Sequence, residues 1–240
     1  MLSFLRLRPL KIAPPLTTDI HSHLLAGLDD GVRSCEEALA IVRTFQELGY
    51  RKLITTPHVI HDFYRNTPIL IRQGLEELKV FLAERNITFE IQAAAEYYLD
   101  EALSAKIEGR EELLTFGDRY LLFETNMMTE PYQLKDFIFK LTTAGYKPVL
   151  AHPERYAFMN LEKAEDLRYR GVLFQVNMLS IIGYYSKPIQ RTAYQLIDKG
   201  WIDFLGSDCH SLEHARLIAY AQKNKYFQKA LALPLLNHTL

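Results

Sequence analysis

The chain has 240 residues, of which 48% are hydrophobic and 24% are charged, and its formal net charge is -1. This length fits one large domain with a substantial core better than two small ones, so we expect a single domain over residues 1–240. The chain has no basic excess that would draw it to nucleic acid, and we do not expect it to bind a polyanion.

The two cysteines, Cys35 and Cys209, are too few for a disulfide framework and suit a reducing compartment. The first ten residues are largely apolar, but Arg6 and Arg8 interrupt them and no small-residue cleavage site follows. No apolar run approaches the roughly 20 residues that span a bilayer. We therefore predict free thiols, a cytoplasmic location without membrane insertion, and a short strand or arm over residues 1–10.

Along the chain, short apolar runs of β-prone residues alternate with longer runs of helical period. This alternation is typical of βαβ units around a parallel sheet. Seven strands are predicted, at residues 17–20, 52–56, 89–95, 119–124, 148–152, 173–177 and 203–207. Because they are short and mostly apolar, they suit parallel strands covered on both faces, and the predicted fold is an α/β barrel.

The helices between these strands are predicted from the spacing of apolar residues and from end signals. Their predicted ranges are 36–48, 68–84, 131–144, 161–170, 188–199 and 211–223. Gly49 is a natural stop for the first helix, and Pro68 is suited to the first turn of the second. The apolar residues of the second helix are spaced for a buried stripe: Leu70, Ile71, Leu75, Leu78, Val80, Phe81 and Leu82.

Side chains that can bind metal ions lie at or just after the ends of most of the predicted strands. The carboxyl ends of all strands in a parallel barrel open on one face, so residues far apart in sequence converge there. The set comprises His21 and His23 for the first strand, His58, Glu96, Glu124 and His152 for the next four, and Asp208 and His210 for the last.

Local spacing supports a shared site. His21 and His23 are two residues apart on an extended segment and so point to the same side, and Asp208 and His210 repeat this spacing. The adjacent Asp29-Asp30 pair offers a carboxylate on the loop after the first strand. Mixed imidazole and carboxylate ligands suit Mn, Fe or Zn in an open catalytic site.

Taken singly, each of these residues is more often structural than functional. A lone histidine beside a strand is usually satisfied by its neighbours. Together they are hard to explain without cations, because four carboxylates buried at one rim would repel one another and take up protons. The pattern as a whole therefore predicts a metal site.

The order of these residues resembles the polymerase and histidinol phosphatase (PHP) superfamily over almost the whole chain. More narrowly, it is similar to the CpsB/CapC type, the bacterial manganese-dependent tyrosine phosphatases of capsule and exopolysaccharide operons. Four segments carry this narrower resemblance: Asp19-Ile20-His21-Ser22-His23 with Asp29-Asp30-Gly31, then Thr56-Pro57-His58, Ala95-Glu96-Tyr97-Tyr98, and Ala151-His152-Pro153-Glu154-Arg155-Tyr156.

The resemblance implies a distorted (β/α)7 TIM-like barrel of the PHP type. It implies two or three divalent ions, with Mn expected and Fe, Mg or Zn as alternatives. The implied ligands are His21, His23, Asp30, His58, Glu96, Glu124, His152, Asp208 and His210. It also implies that Arg155 and a later arginine hold the phosphate. Arg216 is the candidate for the second, although this chain has one residue more between His210 and the arginine than the family pattern.

The implied reaction is hydrolysis of phosphotyrosine by a metal-activated hydroxide. Its implied partner is a phosphotyrosine-containing protein, the tail of a bacterial tyrosine kinase that controls polysaccharide export. Three divalent ions against four carboxylates and five neutral histidines would leave a charge of about +2, which attracts a phosphate dianion. The competing cysteine chemistry needs a Cys-x5-Arg loop, and neither Cys35 nor Cys209 has an arginine six positions later.

Weaker candidates for substrate contact are Arg65, Tyr98 and Tyr156. Aromatic side chains on loops at the same rim would frame a phenyl ring, and an arginine there would dock an acidic peptide. His61 is within loop reach as a proton donor, although a surface histidine is the commoner interpretation.

Three alternative functions stay open at this point. The first is another phosphoesterase, acting on a small metabolite such as histidinol phosphate or on nucleotide ends. A deep pocket would favour a metabolite, and a shallow rim would favour a peptide. The second is a binding module with structural metal, which the completeness of the ligand set disfavours. The third is a metal-dependent amidohydrolase, which activity on amides would identify.

Overall fold

The structure, a computed structural model, describes residues 14–240, so the arm or strand predicted over residues 1–10 lies outside the described residues. Strands and helices alternate along this range. The strands are β1 Thr18–Asp19, β2 Lys52–Thr55, β3 His58–Val59, β4 Glu90–Ala93, β5 Glu96–Tyr98, β6 Tyr120–Glu124, β7 Lys147–Ala151, β8 Leu173–Asn177 and β9 Phe204–Gly206. The α-helices are α1 Cys35–Glu47, α2 Pro68–Ala83, α3 Glu101–Glu108, α4 Leu134–Thr143, α5 Leu161–Tyr169, α6 Met178–Ile182, α7 Lys187–Lys199, α8 Leu212–Gln222 and α9 Lys225–Leu231.

All the strand pairs are parallel. They form a sheet in the order β1-β2-β4 and a second in the order β3-β5-β6-β7-β8-β9. Beyond the ends of β1 and β9, Ser22 pairs with Cys209 in the same parallel sense. The His23 N–H donates to the Cys209 carbonyl over 2.9 Å, and the Asp208 N–H donates to the His21 carbonyl over 2.8 Å. The parallel sheet is therefore curled, and its first and last segments meet beside the histidines.

Neighbouring residues of a strand point to opposite faces of the curled sheet and enter different cores. Leu121 and Phe123 of β6 join the large apolar cluster beneath the helices. Leu122, between them, joins a smaller cluster with Ile54 and Phe204 from other strands. The sheet is thus apolar on both faces, as predicted for covered parallel strands, and its polar side chains collect at the carboxyl ends.

The structure corrects the strand count, because residues 14–240 contain nine strands where seven were predicted. The predicted strands 52–56 and 89–95 are each followed by a separate short strand that pairs in the second sheet. Pro57, which has no N–H to donate, lies at the first break. The Glu96 N–H donates to the Pro57 carbonyl over 3.1 Å. Glu96 is therefore the first residue of β5 and does not simply follow the predicted strand.

The helix boundaries follow side-chain caps. Ser34, Thr67 and Ser211 each accept a hydrogen bond from a backbone N–H in the first turn of α1, α2 and α8. The predicted start of the third helix at Pro131 is wrong, since α4 begins at Leu134 after a turn and without a side-chain cap. Helices α3, α6 and α9 were not predicted because they are only five to eight residues long. No helix within residues 14–240 combines the length and apolar character needed to cross a membrane.

Candidate active site

The nine predicted metal ligands lie together at one rim of the curled sheet. His21 and His23 follow β1, His58 opens β3, Glu96 opens β5, Glu124 ends β6, His152 follows β7, Asp208 and His210 follow β9, and Asp30 comes from the loop after β1. Most of these side chains are buried, whereas the Asp30 side chain is 56% exposed. The positions that the sequence places at separate strand ends therefore form a single polar cluster.

Glu96 lies at the centre of this cluster. Its Oε2 atom is 3.1 Å from His21 Nε2 and 3.1 Å from His58 Nδ1, and its Oε1 atom is 3.1 Å from His152 Nε2. Glu124 Oε1 is also 3.1 Å from His58 Nδ1. One carboxylate thus contacts three histidines that come from three separate segments of the chain.

Three groups of ligand atoms within this cluster are close enough to hold an ion each, with members no more than 4.8 Å apart. Any two of these groups have one residue in common, which is His23, His58 or Glu96. The groups are His21, His23, Glu96 and Asp208; His23, Asp30, His58 and His210; and His58, Glu96 and Glu124. Their shared members would place any bound ions next to one another.

The hydrogen-bond roles of the rings show that the cluster fits cations. Nδ1 of His23 is 2.7 Å from an Asp29 oxygen and Nδ1 of His21 is 2.8 Å from the Gln175 Oε1 atom, so each Nδ1 carries the hydrogen. In the neutral rings both Nε2 atoms then keep lone pairs. These two atoms are 3.2 Å apart, and His21 Nε2 also faces Glu96. Converging lone pairs and a carboxylate require a proton or a metal ion between them.

The charges of the cluster lead to the same conclusion. Burial opposes protonation of His58, but Glu96 and Glu124 outweigh it and raise the pKa of His58 to about 10. Burial likewise opposes protonation of His21, and Glu96 with Asp208 raises its pKa to about 9. Although burial alone would raise the pKa of the Glu96 carboxyl, the neighbouring histidines hold that pKa well below its usual range. Protons and divalent cations therefore compete for the same ring nitrogens, and acid favours the protons.

Two of the cluster residues are held in a left-handed backbone conformation. His152 has φ of 35° and Asp208 has φ of 52°, a region that residues other than glycine seldom adopt. Such strain is typical of functional sites, where the surrounding structure fixes it. At Gly31 a Cβ atom would lie 2.3 Å from the His23 carbonyl oxygen, so only glycine allows the Asp30 loop to pack against His23.

Three further residues orient the ligands by hydrogen bonds and were not predicted to do so: Asp29, Gln175 and Asn177. Asp29 accepts from His23 and from the His58 N–H over 2.9 Å, and these contacts outweigh burial and lower its pKa to about 2. Gln175 fixes His21, and Asn177 donates to Asp208 Oδ2 over 3.0 Å. Gln175 and Asn177 lie two residues apart on β8, the one predicted strand to which no ligand was assigned, and that polar pair was the available signal.

Asp29→Asn is expected to weaken metal binding about 10- to 100-fold. The amide has only one of the two oxygens that accept hydrogen bonds from Gly31, His23 and His58. The metal dissociation constant, from competition with a chelating dye, measures this effect. Asp62→Asn, on the exposed loop after β3, serves as the control and should leave the constant unchanged. Equal constants for Asp29→Asn and the unaltered protein would contradict this role.

The cluster opens on a cavity of about 460 Å³ whose walls include Arg155, Tyr64, Tyr185 and His214. Arg155 Nη1 is 2.8 Å from Asp208 Oδ2, and the guanidinium lies over the Tyr185 ring at 4.5 Å. This stacking holds a cation at the mouth of the metal cluster. The arrangement is suited to an anion that reaches the ligands from solvent.

The structure places Arg216 on the exposed side of α8, outside the lining of this cavity. His214 from the same helix lines the cavity instead, and its Nε2 is 3.2 Å from the Tyr184 hydroxyl. His214 and Arg216 are two residues apart on α8 and therefore point to nearly opposite sides of this helix. A phosphate contact of Arg216 remains a prediction without geometric support, and His214 was not foreseen.

The weaker candidates lie around the cluster. Tyr98 is half-buried and pairs in register with Glu124. Tyr156 is buried and its hydroxyl accepts from the Thr125 N–H over 3.3 Å, a position that suits packing rather than substrate contact. Arg65 and His61 are exposed and line a second, smaller cavity. Their roles in binding stay predictions.

Cys209 lies between two of the ligands but is fully buried, and burial raises the pKa of its thiol far above the usual range. Its Sγ contacts the Ser211 carbonyl at 3.3 Å. A protonated thiol that does not line the cavity is a poor nucleophile. The free thiols predicted for Cys35 and Cys209 are confirmed.

Residues 17–232 match the family model described as capsular polysaccharide synthesis, CpsB/CapC. The chain belongs to the CpsB/CapC family. CapC of Staphylococcus aureus is 30% identical over 196 residues, which cover 81% of this chain and 77% of CapC. The tyrosine-protein phosphatase CpsB of Streptococcus pneumoniae is 29% identical over 204 residues, covering 81% of this chain and 83% of CpsB. The predicted family is therefore confirmed.

A solved structure of the same CpsB/CapC type extends the likeness to three dimensions. This structure belongs to a set of crystal structures of YwqE from Bacillus subtilis and CpsB from Streptococcus pneumoniae, which are described as metal-dependent tyrosine phosphatases. It matches with a TM-score of 0.77 and 26% identity over 90% of this chain and 85% of the other. The activity predicted from the sequence is thus the one named for these relatives.

Proposed function

We propose that this protein is a metal-dependent protein-tyrosine phosphatase. The observation that carries the proposal is the cluster around Glu96, in which nine histidines and carboxylates meet below a cavity that also presents Arg155. The names of the CpsB and YwqE relatives support the same activity. A phosphate ester entering this cavity would meet the metal ligands and the guanidinium of Arg155.

Two or three divalent ions would be held by the three ligand groups, with manganese as the expected metal. The mixture of imidazole and carboxylate donors supports a transition metal of this kind. Bound divalent cations supply a hydroxide nucleophile near neutral pH and neutralise developing charge on phosphate oxygens. Asp29 and Gln175 keep the His23 and His21 rings in the tautomer that this binding requires.

The other cavity residues orient the substrate. Arg155 is placed to donate two parallel hydrogen bonds to phosphate oxygens, while the Tyr185 ring holds its guanidinium. Tyr64, whose ring lies 5.8 Å from that of His58 and nearly parallel to it, presents an aromatic surface to the incoming phenyl ring. A phenoxide has a pKa near 10 and leaves more easily than an alkoxide, so strong general-acid help is not required.

The proposal includes the finer architecture and partner. We infer that the chain forms one domain, a distorted (β/α)7 TIM-like barrel that closes where Ser22 pairs with Cys209. In this count β2 with β3, and β4 with β5, each represent one broken strand of the barrel. The family match over residues 17–232 supports the single domain. The capsule connection of the family supports a phosphotyrosine-containing kinase tail as substrate. Manganese as the resident metal and a cytoplasmic location stay predictions.

The second candidate is a phosphoesterase that acts on a small metabolite such as histidinol phosphate. The broad cavity of about 460 Å³, with Asp30 exposed at its edge, favours a peptide over an enclosed metabolite. The test compares kcat/KM for a phosphotyrosine peptide and for histidinol phosphate on the same manganese-loaded protein. A preference for the peptide supports the proposal, and a preference for histidinol phosphate overturns it.

A further inference from the structure

A second cavity, of about 240 Å³, lies beside the metal cavity and shares Ile60 and Tyr64 with it. Its other walls come from the loop after β3 and from α3, including His61, Arg65, Asp100 and Lys106. Three of these four polar side chains are basic or can become so. Nothing in the chemistry proposed above uses this cavity.

The wall between the two cavities is a closed turn. The Ile60 N–H donates to the Tyr64 carbonyl over 3.0 Å, and the Tyr64 N–H donates back to Ile60 over 2.9 Å. Asn66 ties the turn to the strand by donating to the His58 carbonyl over 2.8 Å. With its ring stacked on the His58 ring, Tyr64 is therefore a fixed divider between the metal cluster and the second cavity.

The basic side chains of the second cavity are suited to binding a carboxylate. The acidic residue among the four polar side chains is Asp100, whose carboxylate already accepts hydrogen bonds from the Leu103 N–H over 2.7 Å and the His61 N–H over 3.2 Å. Arg65 uses only Nε internally, donating to the His61 carbonyl over 2.8 Å, and forms no ion pair among residues 14–240. Lys106 adds a second cation, and its Nζ atom also forms an ion pair with the exposed Glu111 carboxylate at 3.0 Å. The Arg65 fork thus remains available to a carboxylate.

We propose that this second cavity is a specificity subsite that binds the carboxylate of an aspartate or glutamate close to the phosphotyrosine of the substrate. The inference rests on the proposed phosphatase function. In an extended peptide, side chains two residues apart point to the same side and are about 7 Å apart. This spacing is suited to placing the phosphotyrosine on one face of Tyr64 and the acidic side chain beyond it, held by Arg65 and Lys106.

The test compares phosphotyrosine peptides that carry glutamate or glutamine at each position from three before to three after the phosphotyrosine. In the unaltered protein, glutamate at one flanking position is expected to lower KM about three- to tenfold relative to glutamine, with kcat unchanged. Arg65→Gln should remove this difference, whereas p-nitrophenyl phosphate, which fills only the metal cavity, should be hydrolysed at the unaltered rate. Because Arg65 is exposed, this variant is expected to fold normally.

Two further variants separate the subsite from general charge effects. Arg85→Gln removes the same charge beyond the other end of α2, roughly 25 Å away along a 16-residue helix, and should keep the preference for glutamate. Arg65→Glu should reverse it in favour of lysine at the same peptide position. No glutamate preference at any position, or an equal preference in Arg65→Gln, would overturn the subsite alone. Absence of all turnover in the unaltered, manganese-loaded protein would overturn the phosphatase and the subsite together.

Discussion

Glu96→Gln is expected to lower kcat/KM by at least about 1000-fold, because Glu96 contacts three histidines and belongs to two of the three ligand groups. The substitution keeps the size of the side chain but removes a buried negative charge. Losing several kcal/mol of charge stabilisation in the transition state corresponds to this factor. Steady-state turnover of a phosphotyrosine peptide, together with metal content by elemental analysis, measures the effect.

The matched control for this variant is Glu90→Gln. Glu90 lies on β4, is 56% exposed, and pairs with Lys52 at 3.1 Å away from the ligand groups. The control should retain full turnover and metal content. If Glu96→Gln kept both as well, the placement of the metal cluster around Glu96 would be wrong.

Arg155→Gln is expected to lower kcat/KM about 100- to 1000-fold while the metal content stays unchanged. The reason is that Arg155 lines the cavity and presents its guanidinium beside Asp208, where it would bind phosphate oxygens as charge develops on them. Loss of one such donor in a site shielded from water typically costs this much. Kinetics on a phosphotyrosine peptide and elemental analysis of the same preparation separate binding of phosphate from binding of metal.

Arg216→Gln is the matched comparison, because the two arginines were predicted from the sequence as a pair. Arg216 is exposed on α8 and does not line the cavity, so its replacement should change kcat/KM less than about threefold. A fall as large as that of Arg155→Gln would restore Arg216 as a phosphate ligand. A small effect of Arg155→Gln would contradict the role given to the cavity arginine.

Much of the fold could be predicted because the apolar pattern is strong where strands are buried on both faces. The strand Leu173–Asn177 was predicted with its observed bounds, and the others with shifts of one or two residues at their ends. The breaks after Thr55 and Ala93 could not be predicted. They depend on which neighbouring strand each backbone N–H meets, and Pro57 at the first break is the only local signal of that choice that the structure explains.

The site could be predicted at its centre and less well around it. Histidines and carboxylates at successive strand ends converge in any parallel barrel, so their meeting at one rim could be predicted from the strand pattern. The choice of Asp30 over Asp29 came from the family resemblance. Arg216 and His214 show the limit, because the sequence does not indicate which side of α8 faces the cavity. The roles of Asp29 and Gln175 depend on hydrogen bonds across the site, which no short motif encodes.

Metal ions held around Glu96 are expected to be required for hydrolysis of phosphotyrosine. The most direct measurement removes metal with a chelator and then titrates manganese back, following bound metal per chain and turnover of a phosphotyrosine peptide in the same samples. We predict no turnover without metal and a rise to full turnover as two or three ions bind per chain. Full turnover by the metal-free protein would contradict it.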